Sequence, residues 1–456
     1  MSHGHQADDS VAVIGLARSG RAAAALLARR GRRVYASDAG DSPELRQAAR
    51  TLLGQGIEVQ LGGHDLRRIA GASLAVVSPG VPPDAPPLEA ARRAGVPVVS
   101  EVRIALDALT ATRVVAVTGT NGKSTVTALV AELLKAAGHS AVAAGNIGRA
   151  LSEVALSDAP PEWVALEMSS FQLHDTPGFS PAVGVLTNLA PDHLDRYAGV
   201  DDYYADKRLM FSAASDESRW VTNADDAAVQ RMSAGVAGAH YRFSLSHEAD
   251  AWYDAARGEL RLFGGVLCAR QELLLLGDHN VANALAAALA VAVAGDRPRD
   301  EELASRLADG LRGFRGLPHR LEVVGQKGGV LWVNDSKATN VESARVAIEA
   351  MERPTVLLMG GRHKGEPYTS LADPVRRHVR HVIAFGEAAA TIAADLGSSG
   401  VPLETVQGGL AAVVGRAGAV ARPGDAVLLA PACSSFDMFR DYEDRGSQFR
   451  ALVSAP

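Results

Sequence analysis

Short apolar runs rich in β-branched residues alternate with helical stretches along the whole chain, and this alternation limits the possible fold most strongly. The apolar runs are VAVIG (11–15), LAVVS (74–78), VVAVT (114–118), WVALE (163–167), TVLLM (355–359), HVIAF (381–385) and AVLLA (426–430). The helical patterns cover 20–30, 123–137, 281–294 and 341–352. Strands separated by helices pair in parallel, so we predict an α/β protein.

Chain length and charge narrow the class of protein further. A chain of 456 residues is too long for one hydrophobic core, and its pattern divides into blocks at 1–101, 102–316 and 317–456. The net charge is −6 with lysines and arginines scattered, so we expect no nucleic-acid partner. Cys268 and Cys433 are too few for a disulfide framework or a cysteine-rich zinc site.

The chain carries no feature typical of export or membrane insertion. Its start, MSHGHQADDS, lacks the basic and apolar regions of a secretion signal. The longest apolar run, 284–294, is about half the length that a bilayer-spanning helix needs. We therefore expect a cytoplasmic protein without membrane insertion.

A glycine turn lies between an apolar run and a helical stretch in AVTGTNGKSTVTALV (116–130). Gly119 and Gly122 would let backbone N–H groups close on phosphate oxygens, and Lys123 would add a cation. The Ser124 hydroxyl is a candidate Mg²⁺ ligand. The usual P-loop spacing requires glycine where this chain has Val117, so we predict a variant phosphate loop. The alternative is a plain strand-to-helix turn.

A second glycine turn, VAVIGLARSGRAA (11–23), resembles the dinucleotide fingerprint G-x-G-x-x-G. Gly15 and Gly20 match, and Asp38 follows the next strand, but Ala17 replaces the second glycine. NAD binding, a purely structural turn and binding of a different nucleotide diphosphate all remain open. We favour the last of these.

Polar groups follow two further strands. Glu167 ends the run WVALE, and TNLAPDHLDRY (187–197) offers Asp192, His193 and Asp195. Ligands of open α/β sheets gather at the carboxyl ends of strands, so Glu167 and His193 are candidate Mg²⁺ ligands. Each alone could equally be a hydrogen-bonded core group or a helix N-cap. From its residues alone, Lys207 is typical of a solvated helix lysine.

The third block has polar and cationic groups after three predicted strands. They lie in NDSKATN (334–340), GGRHKGE (360–366) and PACSSFDMFRDYEDRG (431–446). The candidate ligand-binding residues are Asp335, Lys337, Thr339, Lys364, Ser435 and Tyr442. Together they predict a pocket for a small anionic molecule.

Seven motifs occur in the order and spacing found in the Mur ligases. They are TGTNGKST, GNIG (145–148), LEMSSFQL, TNLAPDHLDRY, GDHNVANALAA (277–287), FRGLPHR (314–320) and NDSKATN. The chain resembles the glutamate-adding branch of this family, which uses the short TGTNGKS form of the loop. The resemblance implies a Rossmann-like UDP-substrate domain (1–101), a central P-loop ATPase-like domain with a parallel sheet (102–316) and a dinucleotide-fold-like glutamate domain (317–456).

The resemblance also implies a reaction and its partners. ATP would phosphorylate the alanine carboxylate of UDP-N-acetylmuramoyl-L-alanine, and the amine of D-glutamate would displace phosphate from the acyl phosphate. Two Mg²⁺ ions and a carbamate on Lys207 are expected in such an enzyme. The protein would act as a monomer in peptidoglycan precursor synthesis.

Individual roles follow by position from the resemblance. The expected ATP-binding residues are Gly119, Thr120, Asn121, Gly122, Lys123, Ser124, Thr125, Asn283, Arg320 and Asp335. Ser124 and Glu167 would bind one Mg²⁺, and His193 and carboxylated Lys207 the other. The UDP-substrate residues would be Arg18, Ser19, Asp38, Ser78, Gly80 and Asn146. Lys337, Thr339, Lys364, Ser435 and Tyr442 would form the glutamate pocket.

The chain departs from the family pattern at two places, and several other protein classes compete with this interpretation. Ala39 and Gly40 replace the polar residue and arginine common after Asp38, and Tyr442 replaces a phenylalanine. The diaminopimelate-adding ligases carry an Asp-Asn-Pro-Arg string that is missing here, and folylpolyglutamate synthases have the phosphate loop near the N-terminus. An NAD-dependent oxidoreductase would leave the central motifs unexplained, and a non-catalytic nucleotide-binding module would leave both metal sites without a role. Use of L-glutamate, or of another amino acid by a related Mur ligase, stays open as the alternative.

Overall fold

A computed structural model describes residues 8–192 and 196–454 of the chain. The chain divides into two compact units. The first comprises the described residues up to Ala269 together with Ala282–Leu311, and the second comprises Arg270–Val281 and the described residues from Arg312 onward. The domain boundaries at 101 and 316 stay predictions.

The first unit begins with a parallel five-stranded sheet of order β3-β2-β1-β4-β5. Its strands are β1 (Asp8–Ile14), β2 (Arg33–Asp38), β3 (Glu58–Leu61), β4 (Ala72–Val77) and β5 (Val98–Ser100). The accompanying helices are α1 (Arg18–Arg29), α2 (Pro43–Leu53), α3 (Leu66–Gly71), α4 (Pro86–Arg93) and α5 (Glu101–Leu106). This strand order is that of a Rossmann-like half.

The same unit contains a nine-stranded sheet of order β14-β13-β12-β11-β10-β9-β6-β8-β7. Its strands are β6 (Arg113–Thr118), β7 (Ala141–Gly145), β8 (Trp163–Glu167), β9 (Val183–Leu186), β10 (Arg219–Asn223), β11 (Ala239–Ser244), β12 (Ala251–Asp254), β13 (Glu259–Leu262) and β14 (Gly265–Ala269). Its helices are α6 (Lys123–Ala136), α7 (Leu151–Ala155), α8 (Ser170–His174), α9 (Val200–Arg208) and α10 (Ala227–Ser233), followed along the chain by α11 (Asp278–Ala294) and α12 (Glu301–Gly313). Among the described strands of this sheet, the pairs β12–β13 and β13–β14 are antiparallel, and β12 also pairs in parallel with β11.

The second unit is built on a six-stranded sheet of order β15-β16-β20-β17-β18-β19. Its strands are β15 (Glu322–Lys327), β16 (Val330–Asn334), β17 (Thr355–Gly360), β18 (Val379–Phe385), β19 (Leu403–Thr405) and β20 (Ala426–Leu429). Its helices are α13 (Val341–Glu349), α14 (Ala372–His378), α15 (Ala389–Leu396), α16 (Leu410–Val420) and α17 (Tyr442–Ser454). All neighbours are parallel except β15 and β16.

The predicted α/β class is confirmed, and every predicted apolar run forms a strand. The central strands bury both faces, as parallel strands between helix layers do. The antiparallel β12–β14 extension was not predicted, because its strands are short and only half buried. In the described part of the chain, no helix combines the length and apolar character that crossing a membrane requires.

Strand register brings the predicted motifs to one edge of the nine-stranded sheet. β6 lies between β8 and β9, with Val117 opposite Glu167 and Thr118 opposite Leu186. The glycine turn after β6, the carboxylate at the end of β8 and the segment after β9 are therefore neighbours. This is the sheet edge at which open α/β proteins bind ligands.

Candidate active site

The phosphate-loop candidate connects the end of β6 to the start of α6. Gly119 and Gly122 have φ of 140° and 81°, so both occupy backbone conformations that favour glycine. The side chain of Lys123 folds back onto this loop, and its Nζ donates to the carbonyls of Gly119 (3.1 Å) and Thr120 (2.7 Å). Ser124 and Thr125 lie in the first turn of α6, at the positive end of its dipole.

The segment after β9 braces this loop, a role that the sequence did not indicate. The N–H of Asn121 donates to Asn188 Oδ1 (2.8 Å), and the N–H of Thr120 donates to the Asn188 carbonyl (2.9 Å). Thr187 Oγ1 donates to the Asn121 carbonyl (2.7 Å). These bonds fix the conformation of the loop, which preorganises it for binding an anion.

Asn283 lies directly against the same loop. A Cβ added at Gly122 would overlap Asn283 Oδ1, so this turn needs glycine for space as well as for backbone conformation. Asn283 is buried on α11. Its position beside the loop agrees with a nucleotide-binding role.

Glu167 is a buried carboxylate with one oxygen engaged. Oε1 accepts a hydrogen bond from Asn146 Nδ2 at 3.0 Å. Oε2 is buried and has no hydrogen-bond partner among the described residues. Leaving a buried carboxylate oxygen unsatisfied is costly, and a cation would relieve that cost.

Lys207 is 1% exposed, so the expectation of a solvated lysine from its residues alone is wrong. Its Nζ donates to the Gly119 carbonyl at 2.6 Å and lies 4.6 Å from the centre of the Tyr203 ring. Burial holds the pKa of Lys207 well below its usual range, and the charge of Lys123 lowers it further, against the opposing charges of Asp192 and Glu167. The helix α9 thus brings Lys207 to the phosphate loop.

One of the two predicted ligands of the second Mg²⁺, His193, lies outside the described residues, as does Asp195. Asp192 is described and exposed. Within residues 8–192 and 196–454, no group of three His, Cys, Asp or Glu side chains could hold a metal ion. The observation that favours a metal is therefore the unpaired Glu167 oxygen.

A cavity of about 640 Å³ lies beside the N-terminal glycine turn. It is lined by four of the six residues predicted to bind the UDP substrate, namely Ser19, Asp38, Ser78 and Gly80. Ala39 and His64 also line it, and the sequence did not single out His64. Asp38 is held by the N–H groups of Leu16 (2.6 Å) and Gly40 (2.8 Å), so its carboxylate shapes the wall of the cavity.

The other two predicted UDP-substrate residues make contacts elsewhere in the first unit. Arg18 donates to the carbonyl of Gly148, in the GNIG motif. Asn146, in the same motif, is hydrogen-bonded to Glu167. The GNIG segment is therefore linked both to the start of α1 and to the buried carboxylate.

In the second unit, Asp335 is buried at the end of β16. Burial raises its pKa to about 7, against the lowering effect of the nearby Arg320 charge. Its Oδ1 accepts a hydrogen bond from the Leu321 N–H at 3.4 Å. Arg320 itself is exposed.

Two of the predicted glutamate-binding residues contact each other. Lys337 Nζ lies 3.8 Å from the centre of the Tyr442 ring, a cation–π geometry. Ser435 is buried, Thr339 is half-buried, and Lys364 is exposed in the loop after β17. The structure thus offers two lysines and two hydroxyls at the carboxyl ends of these strands.

A buried arginine that the sequence did not single out joins the three loops of this unit. Arg445 is fully buried, and its guanidinium donates to Ser336 Oγ (2.9 Å) and to the carbonyls of Ser336 (2.9 Å), Gly360 (3.3 Å) and Cys433 (3.3 Å). Burial lowers its pKa to about 10. Each of the three loops carries residues of the predicted glutamate pocket, so Arg445 fixes their spacing.

Comparison with known proteins decides the family. Three family models match this chain: the MurD-like N-terminal domain of Mur ligases over 9–100, the Mur ligase middle domain over 117–291 and the Mur ligase glutamate ligase domain over 319–433. The chain belongs to the Mur ligase family. The predicted order of its three domains is thereby confirmed.

Individual Mur ligases match over nearly the whole chain. The UDP-N-acetylmuramoylalanine–D-glutamate ligase of Acidobacterium capsulatum is 41% identical, and the alignment covers 98% of this chain and 96% of that protein. The ligase of the same name from Chromobacterium violaceum is 42% identical, with 98% of each chain covered. The crystal structure of the UDP-N-acetylmuramate-alanine ligase of Thermotoga maritima is similar in fold, with a TM-score of 0.61, 21% identity and coverage of 98% of this chain and 100% of that one.

Proposed function

We propose that this Mur ligase joins D-glutamate to UDP-N-acetylmuramoyl-L-alanine in peptidoglycan precursor synthesis and converts ATP to ADP and phosphate. The observation that carries the proposal is the alignment of 98% of the chain, at 41% and 42% identity, with relatives that bear this name. The braced phosphate loop and the buried groups around it support the ATP-dependent part. The 640 Å³ cavity beside the N-terminal glycine turn supports a large nucleotide substrate.

The reaction has two chemical steps. A carboxylate oxygen of the substrate's alanine attacks the γ-phosphorus of ATP, ADP leaves, and an acyl phosphate forms. The amine of glutamate then attacks the acyl carbon, loses a proton, and expels inorganic phosphate as the amide forms. The protein's share is to align three substrates and to stabilise the charge on the transferred phosphoryl group.

The phosphate loop would bind the triphosphate of ATP. The backbone N–H groups of residues 119–125 and the ammonium of Lys123 are suited to phosphate oxygens. Lys123 donates to two carbonyls of its own loop, so its ammonium already lies against the loop. Asn283 would contact adenine, Asp335 the ribose and Arg320 the phosphates.

The residues around Glu167 fit a bound Mg²⁺. The unpaired and buried Oε2 of Glu167 is a hard anionic donor, and Ser124 at the start of α6 supplies a hydroxyl. When bound, Mg²⁺ supplies positive charge that offsets the negative charge of the transferred phosphoryl group. We propose a second ion bound by His193 and by Lys207.

Lys207 would serve that second ion as a carbamate. An ammonium cannot ligate a cation, whereas a carbamate offers two anionic oxygens. The contacts of Lys207 agree with a functional role, because its nitrogen lies in the core and is directed to the phosphate loop. The nearby Lys123 charge also disfavours a second ammonium at this point.

The remaining predicted residues would bind the other two substrates. Lys337, Thr339, Lys364, Ser435 and Tyr442 would hold glutamate, with the two lysines paired to its carboxylates. Arg18, Ser19, Asp38, Ser78 and Gly80 would face the uridine diphosphate end of the substrate, and Asn146 would face the muramoyl-alanine part. We propose that the enzyme acts in the cytoplasm as a monomer.

The test is release of phosphate from ATP by the purified protein. UDP-N-acetylmuramoyl-L-alanine is supplied with D-glutamate, L-glutamate, lysine or diaminopimelate in parallel reactions. Turnover with D-glutamate alone is expected. Equal turnover with L-glutamate, or preference for a diamino acid, would contradict the assignment.

A further inference from the structure

The five-residue helix α7 is held at both of its ends by side chains from earlier in the chain. At its N-terminal end, Glu101 Oε1 accepts a hydrogen bond from the Ser152 N–H. At its C-terminal end, Arg29 donates to the carbonyls of Leu156 (2.5 Å) and Ala155 (3.4 Å). An anion at the first turn and a cation at the last both oppose the helix dipole, so both interactions stabilise α7.

Burying the carboxyl group of Glu101 at this position costs free energy. The residue is 1% exposed, and burial raises the pKa of its carboxyl to about 7 despite the bonds from Ser152 that favour ionisation. The negative charge of Glu153 raises the pKa of the Glu101 carboxyl further. Burying a carboxylate is costly unless it is hydrogen-bonded, and Ser152 at the start of α7 supplies that bond to Glu101.

The segment that precedes α7 leads directly to the candidate metal ligand. Gly145 donates to the Arg149 carbonyl (2.9 Å), so residues 145–149 form a closed turn that ends where α7 is about to begin. Within this turn, the Asn146 N–H donates to the Glu167 carbonyl (3.0 Å), and Asn146 Nδ2 donates to Glu167 Oε1 (3.0 Å). The bonds that the backbone and the side chain of Asn146 make to Glu167 therefore depend on the position of this turn.

We propose that Glu101 is a positioning residue for the magnesium-binding carboxylate of Glu167, and that it acts through α7 and Asn146. Anchoring α7 fixes the turn 145–149, and the fixed turn directs Asn146 to Glu167 Oε1. With one oxygen held, the carboxylate presents the other, Oε2, in a single orientation. The inference rests on the proposed role of Glu167 as a magnesium ligand.

Variants at two positions test this chain of contacts. Glu101→Ala removes the anchor, Glu101→Gln keeps a neutral acceptor of the same shape, and Asn146→Ala removes the last link. Mn²⁺ replaces Mg²⁺ as a probe, and its binding in the presence of ADP is followed by loss of the free-ion EPR signal. The second readout is the free Mg²⁺ concentration at which the ligation rate is half-maximal, measured at saturating ATP.

We expect the Mn²⁺ dissociation constant to rise about tenfold in Glu101→Ala, at the lower end of the loss typical for groups that support a metal ligand. Glu101→Gln should lie between wild type and alanine, because a neutral acceptor makes the weaker hydrogen bond. The KM for glutamate should not change in either variant. Glu101→Gln also keeps the test usable if the alanine variant does not fold.

Thr176→Val is the matched control. Thr176 Oγ1 is hydrogen-bonded to Ser100 Oγ (2.7 Å), one residue before Glu101, and donates to the Gln172 carbonyl (2.5 Å), so neither bond is made to Asn146 or to the turn 145–149. If Glu101 acted only by general stabilisation, Thr176→Val would weaken Mn²⁺ binding as much as Glu101→Ala at equal loss of thermal stability. That result would overturn the proposal.

The double variant Glu101→Ala/Asn146→Ala tests whether Glu101 acts on Glu167 through Asn146. If Glu101 acts through Asn146, the double variant should bind Mn²⁺ no more weakly than Asn146→Ala alone. Fully additive losses would overturn the inference. Normal binding in Glu101→Ala with weak binding in Asn146→Ala would refute the role of Glu101 alone, whereas normal binding in Asn146→Ala would refute the step from Asn146 to Glu167. Normal Mn²⁺ binding in Glu167→Gln would refute the metal-ligand role of Glu167 itself.

Discussion

Substitution of Gly119 by alanine tests the phosphate loop where the structure leaves least room. Gly119 has φ of 140°, and an added Cβ would overlap Thr187 Oγ1 and lie 3.1 Å and 3.2 Å from the Asn188 carbonyl oxygen and nitrogen. The unfavourable φ costs about 1 kcal/mol. Overpacking adds about 1–3 kcal/mol, so the total strain is about 2–4 kcal/mol.

The loop can relieve this strain only by moving away from the segment after β9. That movement breaks the bonds that brace Thr120 and Asn121, so the phosphate cradle should lose its shape. We expect the dissociation constant of MgADP, measured by calorimetry, to rise at least about tenfold, which corresponds to about 1.4 kcal/mol. Additional Thr187→Ala should restore part of the affinity, because it removes the atom that the new methyl group overlaps.

Gly138→Ala, two residues beyond the C-terminal end of α6, is the matched control. Gly138 also has a positive φ of 97°, but an added Cβ would meet nothing nearer than Arg306 Nη1 at 3.6 Å. It should lose about 1 kcal/mol of stability and bind MgADP normally. An unchanged MgADP affinity in Gly119→Ala, with the fold intact, would refute the phosphate-loop assignment.

Three further variants address the other proposed roles. Lys123→Ala should abolish ligation while far-UV circular dichroism stays unchanged, because it removes the cation opposite the terminal phosphates; turnover near the wild-type rate would contradict this role. Lys364→Ala should raise the KM for glutamate about tenfold or more and the KM for ATP much less, since a lost charge-assisted bond costs about 1.5–3 kcal/mol; equal changes in both constants would argue against a glutamate contact. Lys207→Ala should be nearly inactive and partly rescued by acetate, which can supply the carboxylate oxygens of a carbamate; full activity of the wild type in CO₂-depleted buffer would refute the carbamate.

Most of the fold was predictable because the central strands are apolar on both faces. Their runs are therefore continuous and easy to recognise between helical patterns. The same reasoning identified Glu167, since a carboxylate that ends a buried strand is conspicuous. The β12–β14 hairpins gave no such signal, because strands with one solvated face are short and mixed in composition.

The residues that sequence reasoning missed owe their roles to partners distant along the chain. Arg445 contacts Ser336, 109 positions away, and Glu101 contacts Ser152, 51 positions away. Lys207 was misjudged for the same reason, because α9 has few apolar residues and the hydrogen-bond partner of its buried ammonium is Gly119, 88 positions away. Hydrophobic periodicity in the sequence indicates only which face of a helix is buried, whereas these contacts depend on how the helices pack against the rest of the protein.

Transfer of oxygen from substrate to phosphate tests the central claim most directly. UDP-N-acetylmuramoyl-L-alanine labelled with ¹⁸O in its carboxylate is incubated with the enzyme, ATP and D-glutamate, and the inorganic phosphate is analysed by mass spectrometry. If the alanine carboxylate attacks ATP and the amine later expels phosphate, each phosphate released should carry one ¹⁸O atom from the substrate. Phosphate without label, formed together with the amide product, would contradict ligation through an acyl phosphate.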